Sequence, residues 1–260
     1  MRNTAQAPQT AQNLTKFDVA LRGGSVAFNG TDIFHDLDLT LRAGSFTCLL
    51  GPSGVGKSTL LRYFAGLVEG DVSGTITCSD NTPLAGRVAY MAQQDLLLPW
   101  RSVLENVVLG AVLRGEKPEH DKASQLIAEV GLAEAAHLRP AELSGGMKQR
   151  AALARTLMED RPVVLMDEPF SALDPLNRLR LQELAAQVLR GKTVLLVTHD
   201  PLEALRLGDH VHVLSGNPAR LQDAITPKGQ SPRNIADPGI LAQQAELLGQ
   251  LGADLSGGAA

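Results

Sequence analysis

The sequence predicts an α/β fold in which buried strands alternate with helices and carry polar residues to one edge of a sheet. Three observations predict it. The stretch Gly51-Pro52-Ser53-Gly54-Val55-Gly56-Lys57-Ser58-Thr59 follows the apolar run Ser45–Leu50 and precedes Leu60, Leu61, Phe64 and Leu67 at helical spacing. Two later apolar runs, Val163–Met166 and Thr193–Val197, end in Asp167-Glu168 and in Thr198-His199-Asp200. Between the first strands and these two, residues 102–140 are patterned as helix alone.

Composition narrows the function classes. A chain of 260 residues can bury one large α/β core, with or without an inserted subdomain. A net charge of −4 supplies no basic field, and 3% aromatics offer few stacking platforms, so nucleic acid is not the expected partner. Cys48 and Cys78 are too few for a disulfide framework and read as small hydrophobes in a reducing compartment. Residues 1–14 are polar, lack the apolar core of a signal peptide and read as a disordered tail. No apolar run is long enough to span a bilayer, so the chain is expected to be soluble and to reach a membrane only through a partner.

In chain order, Phe17–Leu21, Val26–Phe28 and Ile33–Leu41 read as short strands, with Asn29-Gly30 as a hairpin turn after Phe28. Phe28 could stack on a base or belong to the core. Residues 70–86 are loop-like around the short run Thr75–Cys78, and Arg87–Met91 is a further strand that leads to Gln93-Gln94. Leu96–Trp100 is an apolar loop closed by proline. Ser102 and Glu105 fit a capping box, followed by an apolar set of Val103, Val107, Leu109 and Leu113. Ala123, Leu126, Ile127 and Val130 then repeat at i, i+3, i+4 and i+7 before the stop at Gly131. Leu143–Arg150 opens another helix. Asp174-Pro175 begins one that runs to about Leu189. Val211–Leu214 is the last expected strand, and Ile240–Leu251 the one helix expected in the C-terminal extension, which ends in a Gly/Ala tail.

The glycine loop carries the chemistry. Glycines let successive N–H groups converge on phosphate oxygens, and the positive end of the following helix adds to them. Lys57 is expected on the β- and γ-phosphates and the Ser58 hydroxyl on Mg²⁺. A plain glycine turn before a helix would need neither the flanking strand nor the Lys-Ser pair. Asp167 is expected in the Mg²⁺ shell, and Glu168 is placed to polarise an attacking water. His199, ending a neighbouring strand, could donate to the γ-phosphate.

Together with Leu143-Ser144-Gly145-Gly146-Met147-Lys148-Gln149-Arg150, these residues resemble the nucleotide-binding subunit of ABC transporters. The matching features run in family order: phosphate loop, Q-loop (Gln93), signature (Leu143–Arg150), Asp167-Glu168, D-loop (Ser171–Asp174) and switch (His199). The resemblance implies an ABC-type P-loop ATPase core over 15–216, with an N-terminal antiparallel β subdomain, a helical subdomain inserted at about 95–158, and a partly helical extension over 217–260. It places Phe28 at the adenine, where the family usually has tyrosine. It puts Gln93 beside Ser58 and Asp167 at the metal and among the catalytic residues with Lys57, Glu168 and His199. It also implies a head-to-tail homodimer in which Ser144, Gly145 and Gly146 of one copy, with Asp174, complete the ATP site of the other.

The same resemblance implies two membrane permease subunits, received in a groove by the Q-loop and inserted helices, and a periplasmic or lipid-anchored solute-binding protein. The chain would then sit at the cytoplasmic face of the inner membrane. The Leu96–Trp100 loop is either a contact there or packing beneath the helices. Gln93-Gln94-Asp95-Leu96-Leu97-Leu98-Pro99-Trp100 is similar to the importer branch for nitrate, sulfonates, taurine and pyrimidine precursors of thiamine, with a lean toward the hydroxymethylpyrimidine type. A non-transport ABC ATPase acting on DNA or ribosomes is the alternative, and it would be expected to show a basic face or a coiled-coil insertion. An unrelated phosphate-loop kinase or GTPase would lack the signature and the switch.

Overall fold

Residues 16–257 are described in a computed structural model; the tail expected over 1–14 lies outside them. Strands β1 (Val19–Phe28) and β2 (Thr31–Leu41) meet at Asn29-Gly30, whose φ values of 52° and 76° match the twist that a two-residue hairpin turn needs. The two short runs expected before that turn form one strand. Irregular register between Leu21 and Val26 lets β1 continue through Gly23-Gly24.

Strand β3 (Phe46–Leu50) is followed by α1 (Lys57–Ala65), β4 (Asp71–Cys78) and β5 (Val88–Met91). Helix α1 stops at Gly66, with φ of 68°, so Leu67 falls outside it and is 55% exposed rather than on its apolar face. Next come α2 (Val103–Val107), α3 (Leu109–Leu113), α4 (His120–Glu129) and α5 (Gly145–Met158). Ser102 caps α2 as expected, accepting from Glu105 N at 3.2 Å, while Glu105 Oε2 accepts from Ser102 N at 2.7 Å. The apolar set that follows breaks at Val108, where ψ is 3°. Helix α3 restarts out of phase, leaving Leu113 77% exposed. Ala123, Leu126, Ile127 and Val130 are all buried.

The last third comprises β6 (Val163–Asp167), α6 (Pro175–Val188), β7 (Thr193–Thr198), α7 (Pro201–Leu207), β8 (His210–Ser215), β9 (Arg220–Leu221) and α8 (Pro238–Gly257). Strand β9 extends the chain beyond the strand expected to be last. Helix α8 is longer than the Ile240–Leu251 helix expected, and Ile240 and Leu247 are buried. Strands β2-β1-β4 form an antiparallel sheet. The order β5-β6-β7-β3-β8-β9 forms a second one, parallel except for β9.

Period-two alternation divides the core. Phe46, Cys48 and Leu50, with Val164, Met166, Val194 and Leu196, face α5, α7 and α8. Leu49, Val163, Leu165, Leu195 and Val197 face α1 and the antiparallel sheet. Both faces are covered, which is why these strands are largely apolar, with Thr47 a buried exception in β3. Their charged residues stand at the C-terminal ends. Both cysteines are free and buried, and burial raises both thiols. Among the described residues no helix is long and apolar enough to cross a membrane.

The C-terminal extension is fastened to α7. Buried Arg233 donates to the carbonyls of Leu205, Gly208, Pro227 and Lys228 at 2.8–3.0 Å. Ser231 Oγ donates to Leu207 O at 2.8 Å. Carbonyls that a helix C-terminus leaves without partners are thus taken up by the segment that follows it.

Candidate active site

Strand β3 lies inside the sheet, between β7 and β8, and hands the chain to the glycine loop at its C-terminal end. Gly56 adopts φ of 110°, a conformation that costs a side chain, and a Cβ there would lie 2.7 Å from Ile33. The loop can then turn straight into α1. Lys57 is buried and curls back over the loop, where Nζ donates to Gly51 O and Pro52 O, both at 2.7 Å. Burial lowers its pKa, while Glu168 and Asp167 oppose that shift. The cation is held by carbonyls that an arriving phosphate could replace.

Ser58 Oγ donates to Asp167 Oδ1 at 3.1 Å. Asp167 is buried, and its Oδ2 has no hydrogen-bond partner. Desolvation first, and then the Glu168 charge, raises its pKa against the Ser58 bond. An orphaned carboxylate oxygen beside a hydroxyl is a donor set that suits a hard divalent cation, so these residues fit Mg²⁺.

Asp167 pairs in register with Val197, so the residues after β6 and β7 emerge side by side. Glu168 takes φ of 48°, unusual for a residue with a Cβ, and its N–H is held by Val197 O at 2.9 Å. Its carboxylate lies between Gln93 Nε2, at 3.3 Å from Oε2, and His199 Nδ1, at 3.1 Å from Oε1. Gln93 thus contacts Glu168 rather than the Ser58–Asp167 pair.

Helix α5 begins at Ser144, whose Oγ accepts from Met147 N at 3.3 Å; Ser144 and Gly145 are exposed and Gly146 is half-buried. Asp174 caps α6 with both carboxylate oxygens on Asn177, at 3.1 and 2.6 Å, and that bonding lowers its pKa. Ser144, Gly145, Gly146 and Asp174 stand outside the contact set formed by Lys57, Ser58, Gln93, Asp167, Glu168 and His199. Phe28, 39% exposed, shares an open cleft with Thr59, Arg62 and Tyr90.

Sequence reasoning missed Gln149. From α5 its Nε2 donates to Glu168 O at 3.0 Å and to Ser171 Oγ at 3.3 Å, and its Oε1 accepts from Ala172 N at 2.8 Å. One amide therefore braces the whole turn after Glu168. A polar residue inside the stretch Leu143–Arg150, just before the apolar run Ala151–Ala154, was the sequence signal for it.

The chain matches the ABC transporter family over residues 34–171, from β2 to the turn after Glu168. It belongs to that family. An ABC transporter ATP-binding protein of Haemophilus influenzae is 45% identical over 91% of this chain and 99% of its own length. The "aliphatic sulfonates import ATP-binding protein SsuB 1" of Rhodococcus jostii is 43% identical over 94% of this chain and 97% of its own. The corresponding protein of Delftia acidovorans is 44% identical over 91% and 95%. A solved bacterial ABC transporter cassette, described as dimeric, superposes with a TM-score of 0.72 at 26% identity, covering 82% of this chain and all of its own. A post-hydrolysis dimer of an ATP-binding cassette bound to ADP and Pi matches equally well. This ABC protein is therefore an ATP-binding ATPase with the P-loop fold of the family.

Proposed function

We propose that this ABC ATPase is the energising subunit of an importer for an aliphatic sulfonate, working as a pair of identical copies beneath separate permease subunits. The observation that carries the ATPase site is the Glu168 carboxylate held between Gln93 and His199 beside the phosphate loop. Lys57 binds the β- and γ-phosphates, and Ser58 and Asp167 would hold Mg²⁺, which Gln93 would reach on leaving Glu168. The metal supplies charge neutralisation on the phosphate oxygens. Glu168 orients and polarises the attacking water, and His199 faces the γ-phosphate. Phe28 lies against the adenine. The second copy brings Ser144, Gly145 and Gly146 as bare donors at the start of α5, and the D-loop ending at Asp174 lines the shared interface. ATP binding then favours the closed pair and hydrolysis releases it.

Relatives named for sulfonate import support that solute over the hydroxymethylpyrimidine toward which the loop after Gln93 leaned, and over nitrate. Dimeric solved cassettes support the pair. Leu96 and Trp100, 59% and 66% exposed beside the Q-loop, favour a contact with the permeases over internal packing, whereas Leu97 is buried. A peripheral position at the inner face of the membrane and a separate solute-binding protein follow from this reading. Two experiments test it. The chain should be recovered from detergent-solubilised membranes with two permease subunits, and its deletion should abolish growth on an alkanesulfonate as sole sulfur source. Recovery with ribosomes or DNA alone would reject transport; intact growth on the sulfonate would reject the solute.

A further inference from the structure

Glu203 lies on the first turn of α7, 5% exposed and four residues beyond His199, and none of the ATP contacts above uses it. Its carboxylate accepts from α6, where Gln182 Nε2 donates to Oε2 at 3.0 Å, and the Thr198 hydroxyl at the end of β7 lies beside it. Thr198 Oγ1 in turn accepts from Asp200 N at 3.0 Å. Asp200 Oδ1 caps α7, accepting from the N–H groups of Leu202 and Glu203 at 2.9 and 3.3 Å.

Helix α6 holds the same segment a second time. Arg178 Nη1 donates to Asp200 Oδ2 at 3.4 Å, and its Nη2 donates to Leu173 O at 3.2 Å. The stretch that carries His199 is therefore joined to α6 by two rungs, a half-buried one through Arg178 and a buried one through Glu203 and Gln182. Helix α6 starts at Asp174, the end of the D-loop, so both rungs connect the two segments that must move together if a second copy is to complete the site.

The surroundings leave Glu203 poised between its two charge states. Burial is the largest influence and Asp200 adds to it, while Thr198, Gln182 and Arg178 favour the anion; the balance brings the carboxyl to about 7. Cys48 of β3 feels its charge, and Glu168 and His199 share a small cleft with it. Arg206, one turn along α7, is turned away to Glu183 and to Arg233 O. Gln182 is 2% exposed and its Oε1 has no partner, so the bond that Nε2 donates to the Glu203 anion is what holds this amide, and a proton gained by Glu203 weakens it.

We propose that Glu203 is a positioning residue for the switch: its carboxylate keeps Thr198–Asp200, and with it His199, in register with α6, and protonation releases that hold. The proposal rests on His199 being the γ-phosphate contact. Hydrolysis then falls on the acid side of neutrality for a reason separate from His199 itself.

The test is kcat at saturating MgATP across about pH 5.5 to 9, with nucleotide affinity and thermal unfolding measured alongside, for wild type, Glu203→Gln, Gln182→Leu and His199→Ala. Glu203→Gln should keep nucleotide affinity, lower kcat at alkaline pH by about tenfold or more through misplacement of the switch, and flatten the acid limb. Gln182→Leu should keep the limb and move it to higher pH, because the anion loses a donor. A Glu203→Gln profile that matches wild type, or a limb unmoved in Gln182→Leu, overturns the proposal. Wild-type turnover in His199→Ala overturns the switch reading and the proposal with it. An inactive His199→Ala beside an unaltered Glu203→Gln confines the failure to Glu203.

Discussion

His199 Nδ1 lies 3.1 Å from Glu168 Oε1, across two strands whose ends are brought level by the pairing of Asp167 with Val197. The contact joins the residue proposed to orient water to the residue proposed to read the γ-phosphate. Glu168→Gln should therefore retain ATP and lose turnover by about 10² to 10⁴-fold, the range for a positioned acid or base. It should also double in mass on gel filtration with light scattering in the presence of MgATP. Normal hydrolysis by this variant would place the water-orienting group elsewhere.

Lys57 is held over the loop by two carbonyls and is the side-chain cation nearest the phosphates in this reading. Lys57→Ala removes charge-assisted bonds of about 1.5–3 kcal/mol each, so fluorescent nucleotide should bind roughly ten- to a hundredfold more weakly. Unchanged affinity would exclude the assigned role.

Ser144 caps α5 at an exposed helix end, outside the contacts that assemble Lys57, Asp167 and Glu168. Ser144→Arg should leave nucleotide affinity intact and abolish hydrolysis, since the bulk falls on the face a second copy must approach. Rates per molecule that rise with protein concentration in wild type, and are absent in the variant, would mark the shared site. Full activity in the variant would mean that one chain is sufficient.

Glu203 also sets a pH dependence of stability. Its folded pKa of about 7 lies above the ordinary glutamate value of 4.5, so the native state holds the proton more tightly than the unfolded chain. Its contribution is fully present below the unfolded pKa and is lost as pH rises through the folded one. Glu203→Gln should thus gain on wild type between about pH 5 and 8, by up to about 3 kcal/mol. Urea unfolding at the two pH values measures it, and a pH-independent difference would contradict the shift.

Arg233 joins the C-terminus of α7 to the extension from inside the protein, with bonds to the carbonyls of Leu205 and Gly208 on one side and of Pro227 and Lys228 on the other. Arg233→Ala leaves those carbonyls buried without donors, a loss of about 2–4 kcal/mol. At roughly 2–4 °C per kcal/mol for a chain of this size, the thermal midpoint should fall by about 5–15 °C. An unshifted midpoint would show that water replaces the side chain.

What was legible in the sequence was local. The glycine loop, the apolar strands and the capping residues Ser102 and Asp174 act through neighbours a few positions away, and their periodicity is written directly in the chain. The family order of motifs extended that reading to Gln93 and His199. The end of α1 before Leu67 and the phase break at Val108 were not legible, because a single backbone angle decides each.

The sequence by itself determined that a phosphate loop, two strand-end carboxylates and a switch histidine would meet at one sheet edge, since strands buried on both faces place charged groups at their ends. Tertiary structure alone decided which polar side chains brace that edge. Gln149 under Glu168, Gln182 against Glu203 and Arg233 beneath α7 join residues from 19 to 28 positions apart. No periodicity announces them, because a buried donor is defined by the acceptor that folding brings to it.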